Sequence, residues 1–325
     1  MRGTVAVTGA TGFLGRYIVR SLIAQGWRVR ILARNYPVHD QFADLNFEVV
    51  AGDLSDPAAL RALVRDADRV VHGAGLIMAR NACDFQTVNV QGTANLVDAL
   101  NGAGMPARLL VISSITARAP HLSPYAASKR AAEDIVRTRL APLHEWIILR
   151  PTAVYGPWDV ETLTVWKAVS RGIALLPGSR TALVSLVHAA DVADAVAALC
   201  AAGQAGSLYE ITDARQQGYL WEEFTGAAAH ALGVRTAGLR LAPWIVRLAG
   251  LMGTLLARAG AADGMLTIDK AQEILHPDWS SRPEQQPPPE LWQPKIDLDC
   301  GFRETIGWYQ TRGWLPKAGK RAGLD

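Results

Sequence analysis

The chain has 325 residues, half of them hydrophobic, and a formal net charge of +3 with acidic and basic side chains interleaved. That is enough chain for one large domain, or for a nucleotide-binding domain with a smaller companion, and its charge pattern offers no basic stripe for a nucleic acid. Cys83, Cys200 and Cys300 stand far apart with no CxxC spacing, which argues against a disulfide framework or a structural zinc and makes buried free thiols the expectation.

In chain order, the apolar run "GTVAVTG" opens the sequence as a strand rather than as a charged segment followed by a long apolar one, so no signal peptide is expected and a cytoplasmic location is the default. Short β-rich runs then alternate with helical patterns: "RVRILAR", "FEVVAGD", "RVVHGAG", "RLLVISS" and "EWIILRP" are separated by stretches such as "FLGRYIVRSLIAQG" and "TVNVQGTANLVDAL". Strands spaced by helices imply right-handed crossovers and the doubly wound parallel sheet of an α/β Rossmann fold. Beyond Arg150 the alternation weakens and eight of the ten tryptophans follow, either as core packing or as the wall of a cleft for an apolar or ring-shaped ligand.

"VSLVHAADVADAVAAL" (184–199) reads as strand then helix, with Asp191 as N-cap and His188 at the junction in a structural role. The apolar stretch 241–261 contains Arg247, Arg258 and Pro243. It is expected to form one or two amphipathic helices that pack in a core, line a substrate pocket or touch a membrane, and no integral membrane span is expected. "RPEQQPPPELWQP" (282–294) is a surface loop. The division expected is 1–160 with 184–212 as the nucleotide-binding domain, and 161–183 with 213–325 as a smaller, mainly helical substrate domain.

The dinucleotide signal lies in "VAVTGATGFLGRYIV", where Gly9, Gly12 and Gly15 fall between strand and helix. The first glycine allows a tight turn, the second lets a phosphate approach the backbone, and the third lets helix and strand pack closely. Helix N–H groups around Thr11, Phe13 and Leu14 then face the pyrophosphate. At the end of the second strand, where a carboxylate would read the ribose of NAD, the sequence is "ILARNYP", and Arg34 suits the 2′-phosphate of NADP. A solvated surface arginine is the alternative. NADP(H) is therefore the preferred cofactor, with NAD(H) left open. Asp53 and Leu54 in "AGDLSD" can flank the adenine, although Asp53 also suits a turn.

"SPYAASK" places Tyr125 and Lys129 four residues apart, on one face of a helix, where an ammonium favours the phenolate. Alone, such a pair arises often by chance. Here it follows "VISSIT", whose Ser113 and Ser114 emerge at the carboxyl edge of the sheet, the edge where ligands bind in open α/β folds.

Together with "TGATGFLG", "GDLSD", "VNVQGT", "LRPTAVYGP" and "VSLVHAADVADA", in that order, these motifs resemble the extended short-chain dehydrogenase/reductase superfamily over most of the chain. This is the group of NAD(P)-dependent nucleotide-sugar epimerases and dehydratases, dihydroflavonol-type reductases and hydroxysteroid dehydrogenases. The resemblance implies that Tyr125 donates or accepts the proton, that Lys129 binds the nicotinamide ribose and tunes the tyrosine, and that Ser114, ahead of Ser113, holds the substrate oxygen. It also implies that Asn89 lies near the cofactor, unless it is a structural residue at a helix start, and that the backbone of Pro151, Ala153 and Val154 meets the carboxamide. Ala74, Gly75 and Ser113 complete the cofactor-contacting set.

Ser114 is followed by Ile115 and Thr116 rather than by the Asp-Glu pair of sugar dehydratases, and Tyr125 lies only eleven positions beyond Ser114, closer than in epimerases. The expected activity is NADP(H)-dependent interconversion of a carbonyl and a secondary alcohol, in the direction of reducing an apolar or ring-bearing ketone. A nucleotide-sugar 4-epimerase with tightly bound NAD and a non-catalytic dinucleotide sensor are the alternatives. The expected partner is a small-molecule substrate, no metal is expected, and helices near 85–101 and 124–140 leave a homodimer open.

Overall fold

The structure is a computed structural model that describes residues 2–36, 39–79, 81–258 and 266–316. The first strands and helices follow the alternation read from the sequence: β1 (Thr4–Thr8), α1 (Phe13–Ala24), β2 (Arg28–Ala33), β3 (Glu48–Ala51), α2 (Pro57–Val64) and β4 (Arg69–His72). Next come α3 (Ala82–Phe85), a π-helical run at Gln86–Gln91, α4 (Gly92–Asn101), β5 (Arg108–Ile112), α5 (Pro124–Arg139) and β6 (Glu145–Pro151). The helix starts are written locally. Asp56 caps α2 ahead of Pro57, and the Ser123 hydroxyl accepts the N–H of Ala126 ahead of Pro124 at the start of α5.

At Ala153 the chain leaves this sheet for β7 (Ala153–Tyr155), α6 (Leu163–Ser170), β8 (Ile173–Pro177), β9 (Leu183–Val184) and β10 (Leu186–His188). It returns through α7 (Ala189–Ala202) and β11 (Ser207–Ile211). The remainder is β12 (Tyr219–Leu220), α8 (Trp221–Leu232), β13 (Ala237–Leu241), α9 (Pro243–Arg258), α10 (Ile268–Ile274), β14 (Asp278–Trp279) and α11 (Leu298–Thr311).

The main sheet has seven parallel strands in the order β11-β6-β5-β4-β1-β2-β3. Its central strands are near-continuous apolar runs because helices cover both faces: all of β1 is buried, and Val70, Val71, Leu109 and Leu110 are almost fully enclosed. The order reverses beside β1, and β1 and β4 are the strands whose carboxyl ends flank that switch point. α7 is tied to this sheet by the guanidinium of Arg69, which donates to the Cys200 carbonyl at the end of the helix.

Two compact units result, one of residues 1–152, 189–211 and 282–293, the other of 153–188, 212–281 and 294–325. The division expected from the sequence gave 153–160, 184–188 and Thr212 to the first unit and 282–293 to the second. The shift has local causes. β7 pairs with β10 in a small sheet of its own, and the Arg282 N–H donates to buried Glu210, which lies on β11 of the main sheet. The second unit is built around buried aromatic rings, with Phe302 standing edge-on to Trp166 at 4.6 Å and to Tyr155 at 5.1 Å. Most of the tryptophan signal is therefore packing, whereas Trp244 is exposed.

Two local expectations are corrected. Cys83 and Cys300 are exposed and only Cys200 is buried, its thiol pushed up to about 12 by that burial. Asp191 lies in the first turn of α7 rather than before it, because the helix already begins at Ala189. In the stretch 241–261, where one or two amphipathic helices are expected, Leu241 ends β13, a single helix runs from Pro243 to Arg258, and residues 259–261 lie outside the described residues.

Candidate active site

The glycine-rich turn has the geometry that its sequence demands. Gly9 takes φ +74°, and a Cβ there would meet the amide nitrogen of Ala74 at 2.4 Å, so the β1 and β4 loops touch through backbone alone. A Cβ on Gly15 would fall within 2.0 Å of the Gly9 carbonyl oxygen, which is why α1 can begin directly against the turn. Gly12 is the N-cap and supplies no side-chain bond to the helix. The N–H groups of Phe13, Leu14 and Gly15 in the first turn thus have no acceptor on the preceding turn and are disposed to hold an anion. Gly12 and Thr11 are exposed, and Phe13 and Leu14 are half-buried.

Arg34 follows the last residue of β2 and is exposed. Among the described residues its guanidinium makes no ion pair. Asp53 is also exposed. Its carboxylate accepts the Ser55 N–H at 2.8 Å and the Ser55 hydroxyl at 2.6 Å, and its pKa is lowered by that hydroxyl first and by the charge of Arg34 least. Leu54 packs its side chain over Gly92 of α4, while its carbonyl accepts from Asn95. Thr11 to Gly15, Arg34, Asp53 and Leu54 all lie on the carboxyl ends of β1, β2 and β3 or on the helices and turns that follow them. These are the positions a dinucleotide needs, so the residues present fit one.

Asn89 stands in the π-helical run and is buried. Its Nδ2 donates to the Leu76 carbonyl at 3.0 Å and to the Ser128 hydroxyl at 2.9 Å, and its Oδ1 accepts the Leu76 N–H at 2.7 Å. The Ser128 hydroxyl in turn donates to the Tyr125 carbonyl at 2.7 Å. Asn89 therefore pins the loop after β4 to the first turn of α5. Its side chain is used structurally within a helical run rather than at a helix start. A Cβ on Gly75 would stand 3.0 Å from Asn89 Oδ1 and 3.9 Å from Lys129 Nζ. Gly75, Asn89 and Lys129 thus meet at one point, with Ala74 adjacent.

Beneath this point runs a buried chain that the sequence did not announce. The Thr8 hydroxyl lies 2.7 Å from His72 Nδ1, His72 Nε2 lies 2.9 Å from the Thr93 hydroxyl, and that hydroxyl donates to the Asn89 carbonyl at 2.6 Å. Burial first, and then the positive Lys129, pushes the His72 pKa down to about 3, so the imidazole is neutral.

Lys129 donates to the Ile112 carbonyl at the end of β5 at 2.5 Å. Desolvation lowers its ammonium pKa to about 8, opposed by the charge of Glu133 one turn along α5. Tyr125 sits in the first turn of α5 with its ring 5.9 Å from that of Phe85. The helical spacing of four puts phenol and amine on the same face.

The two serines after β5 have different employment. The Ser113 hydroxyl donates to Glu133 at 2.5 Å inside a buried cluster where Arg150 holds the same carboxylate through two bonds of 2.7 and 2.6 Å. The Ser114 hydroxyl is half-buried and accepts from the N–H and the hydroxyl of Thr116 at 3.2 and 2.9 Å. With both of those bonds accepted, the Ser114 proton remains to be given to another oxygen.

Pro151 ends β6 opposite Ile211, whereas Ala153 and Val154 belong to the second unit, opposite Leu186 and Val187 on β10. His188 is buried against the edge of Tyr155 at 5.3 Å, and burial lowers its pKa to about 4, consistent with a neutral structural residue. Among the described residues no group of His, Cys, Asp and Glu is arranged to hold a metal.

Residues 5–212 match the sequence profile of the NAD dependent epimerase/dehydratase family. The chain belongs to that family. It is 42% identical over 316 residues to the ceramide reductase of Caulobacter vibrioides, covering 97% of each chain. It is also 32% identical to the 2-alkyl-3-oxoalkanoate reductase of Stenotrophomonas maltophilia, over 48% of this chain and 52% of that one. In three dimensions it resembles the UDP-glucose 4-epimerase of Thermus thermophilus in its complex with NAD, with a TM-score of 0.66 and 22% identity over 95% of this chain and 99% of that one. This family member is thus an NAD(P)-dependent oxidoreductase of the extended short-chain type on a Rossmann fold.

Proposed function

We propose that this enzyme is an NADPH-dependent reductase of a long-chain lipid ketone, forming the secondary alcohol of a ceramide-class lipid. The observation that carries the reading is the relationship to a ceramide reductase along the whole chain, second unit included, in a protein that keeps both members of the Tyr125–Lys129 pair. A ceramide bears a secondary carbinol. Carbonyl–carbinol interconversion is the reaction that a tyrosine, a lysine and a serine at the end of a parallel sheet serve, so the substrate is the corresponding ketone.

The pyrophosphate would be held by the first turn of α1 at Phe13, Leu14 and Gly15, and the 2′-phosphate by Arg34. Asp53 and Leu54 would flank the adenine, Ala74 and Gly75 would border the ribose-phosphate path, and the backbone from Pro151 to Val154 would meet the carboxamide. When bound, the reduced nicotinamide supplies the hydride. Tyr125 gives its phenolic proton to the carbonyl oxygen as charge develops there, while the Ser114 hydroxyl keeps its proton and donates a hydrogen bond to the same oxygen, so two donors stabilise the developing alkoxide. The Lys129 ammonium stabilises the phenolate left on Tyr125 and is anchored by the Ile112 carbonyl. Asn89 positions α5 and the β4 loop through Leu76 and Ser128 and touches no reacting atom.

The test is to denature freshly purified protein, identify the released dinucleotide by mass spectrometry, and then follow NADPH oxidation with a long-chain N-acyl amino ketone. An empty or partly NADP-filled site, with NADPH consumed one for one with product, is the expected result. A stoichiometric, retained NAD and no net NADPH consumption would replace this reading with the 4-epimerase.

A further inference from the structure

α9 carries its bulk on the wrong side for a core helix. The face turned inward is small: Gly250 is pressed so close to α10 that a Cβ there would meet the Thr267 carbonyl oxygen and Ala271 Cβ, both at 2.9 Å, and the Thr254 hydroxyl accepts the Ile268 N–H at 2.9 Å. The large side chains point out. Trp244 is 65% exposed, Leu248 49%, Leu251 48%, Met252 56% and Leu255 56%. Their spacing of four, seven, eight and eleven residues from Trp244 makes one continuous apolar stripe along the helix. Exposed apolar residues scattered singly need no explanation, but a stripe of this length does. The strand that leads into it adds to the surface: in the parallel pairing of β13 with β8, Leu239 stands beside Leu175 and both are exposed.

The charged residues of α9 itself are of one sign. α9 contains no Asp or Glu, and Arg247 is exposed beside the stripe and makes no ion pair among the described residues. At about 1.5 Å per residue its sixteen residues span roughly 24 Å, less than the bilayer's hydrocarbon thickness. No described helix is long and apolar enough to cross a membrane. An apolar stripe with a tryptophan at one end and arginine at its border suits a helix lying in the plane of a membrane surface, rings and alkyl chains down and guanidinium at the phosphates. Self-association through the same face would bring Arg247 against a helix that offers no carboxylate.

We propose that this face seats the enzyme on an anionic phospholipid bilayer, the phase in which a long-chain lipid ketone resides. The inference deepens the reductase reading, on which the source of the substrate rests. Its test needs no turnover. Full-length protein, without cofactor or ketone, is sedimented with vesicles of phosphatidylcholine and phosphatidylglycerol. The wild type is expected to pellet with the vesicles. The double variant Leu251→Glu/Leu255→Glu, whose changed side chains are exposed and should leave the circular dichroism intact, should partition about a hundredfold more weakly. Arg247→Gln should bind about fivefold more weakly, with a reduced dependence on salt.

A wild type that stays in the supernatant, or vesicle binding equal in the double variant, would overturn the proposal. So would a dimer in light scattering that dissociates in the double variant while no vesicles are bound, since the face would then be an interface between copies. NADPH oxidation with a short-chain, freely dissolved ketone examines the reductase reading separately, so failure of one is not failure of the other.

Discussion

Replacing Glu133 with Gln probes fold and chemistry at once. The Glu133 carboxylate is fully buried on α5, where it accepts two bonds from Arg150, one from Ser113 and a longer one from Arg137 at 3.4 Å. With the carboxylate neutralised, the nearest remaining carboxylate for buried Arg150 is Glu210 at 3.9 Å. Breaking a buried pair from one side costs about 3–5 kcal/mol. That is a large part of the roughly 5–15 kcal/mol by which a domain is stable, and urea denaturation followed by circular dichroism measures it.

The same charge reaches the active site. Glu133 raises the Lys129 pKa against the desolvation that lowers it to about 8. Glu133→Gln therefore lets desolvation act unopposed and moves the alkaline limb of the ketone-reduction pH profile to lower pH, because Lys129 gives up its positive charge sooner. A stability loss below about 1 kcal/mol would refute the role of Glu133 as the partner that holds buried Arg150. An alkaline limb that stays in place or rises would refute the coupling of Glu133 to Lys129.

Arg34→Ala should raise the KM for NADPH about tenfold or more while leaving that for NADH unchanged, as the loss of charge-assisted bonds to a phosphate requires; steady-state kinetics with both cofactors decides it. Gly15→Ala places a methyl within 2.0 Å of the Gly9 carbonyl oxygen. It should cost about 3 kcal/mol or more by displacing α1 from the turn, read by thermal unfolding and by loss of dinucleotide binding in titration calorimetry. His72 and His188 are buried neutral, with pKa values lowered to about 3 and about 4 from 6.5. Between those values and 6.5 the unfolded chain binds more protons than the folded one, so stability falls as pH drops through this window. The slope should reach about 2.7 kcal/mol per pH unit where both contribute, and His72→Asn should roughly halve it in denaturation curves taken from pH 6.5 to 4.

Much of the site was legible because its residues are constrained by local spacing. Gly15 is set by its contact with Gly9 within one strand–turn–helix unit, Gly9 is marked by the positive φ of the same turn although the backbone it meets comes from the β4 loop, and Tyr125 with Lys129 follow the period of one helix. What the sequence hid depends on contacts between distant segments. Nothing around Glu133 marks it as buried, since its partners Arg150 and Ser113 come from two other places in the chain. Asn89 reads equally as a cofactor ligand or as a structural residue until Leu76 and Ser128 are seen to occupy its amide. The π-helical run leaves no periodic trace that a single turn could reveal. At α9 the periodicity showed two faces but not which one turns inward, because small residues pressed against α10 pack as closely as large ones do elsewhere. The limit of the first unit at Thr152 was hidden for a similar reason: β7 continues the apolar pattern of β6 but pairs with β10.

The most direct test of the account follows the hydride itself. Protein is incubated with NADPH deuterated at the transferring C4 position and a long-chain N-acyl amino ketone, and the lipid product is examined by mass spectrometry. The expected product is a carbinol carrying one deuterium on its carbinol carbon, with one NADP formed per product and a rate about a hundredfold to ten-thousandfold lower in Tyr125→Phe, the span of a lost general acid. Product without deuterium, or Tyr125→Phe turning over at the wild-type rate, would contradict this expectation.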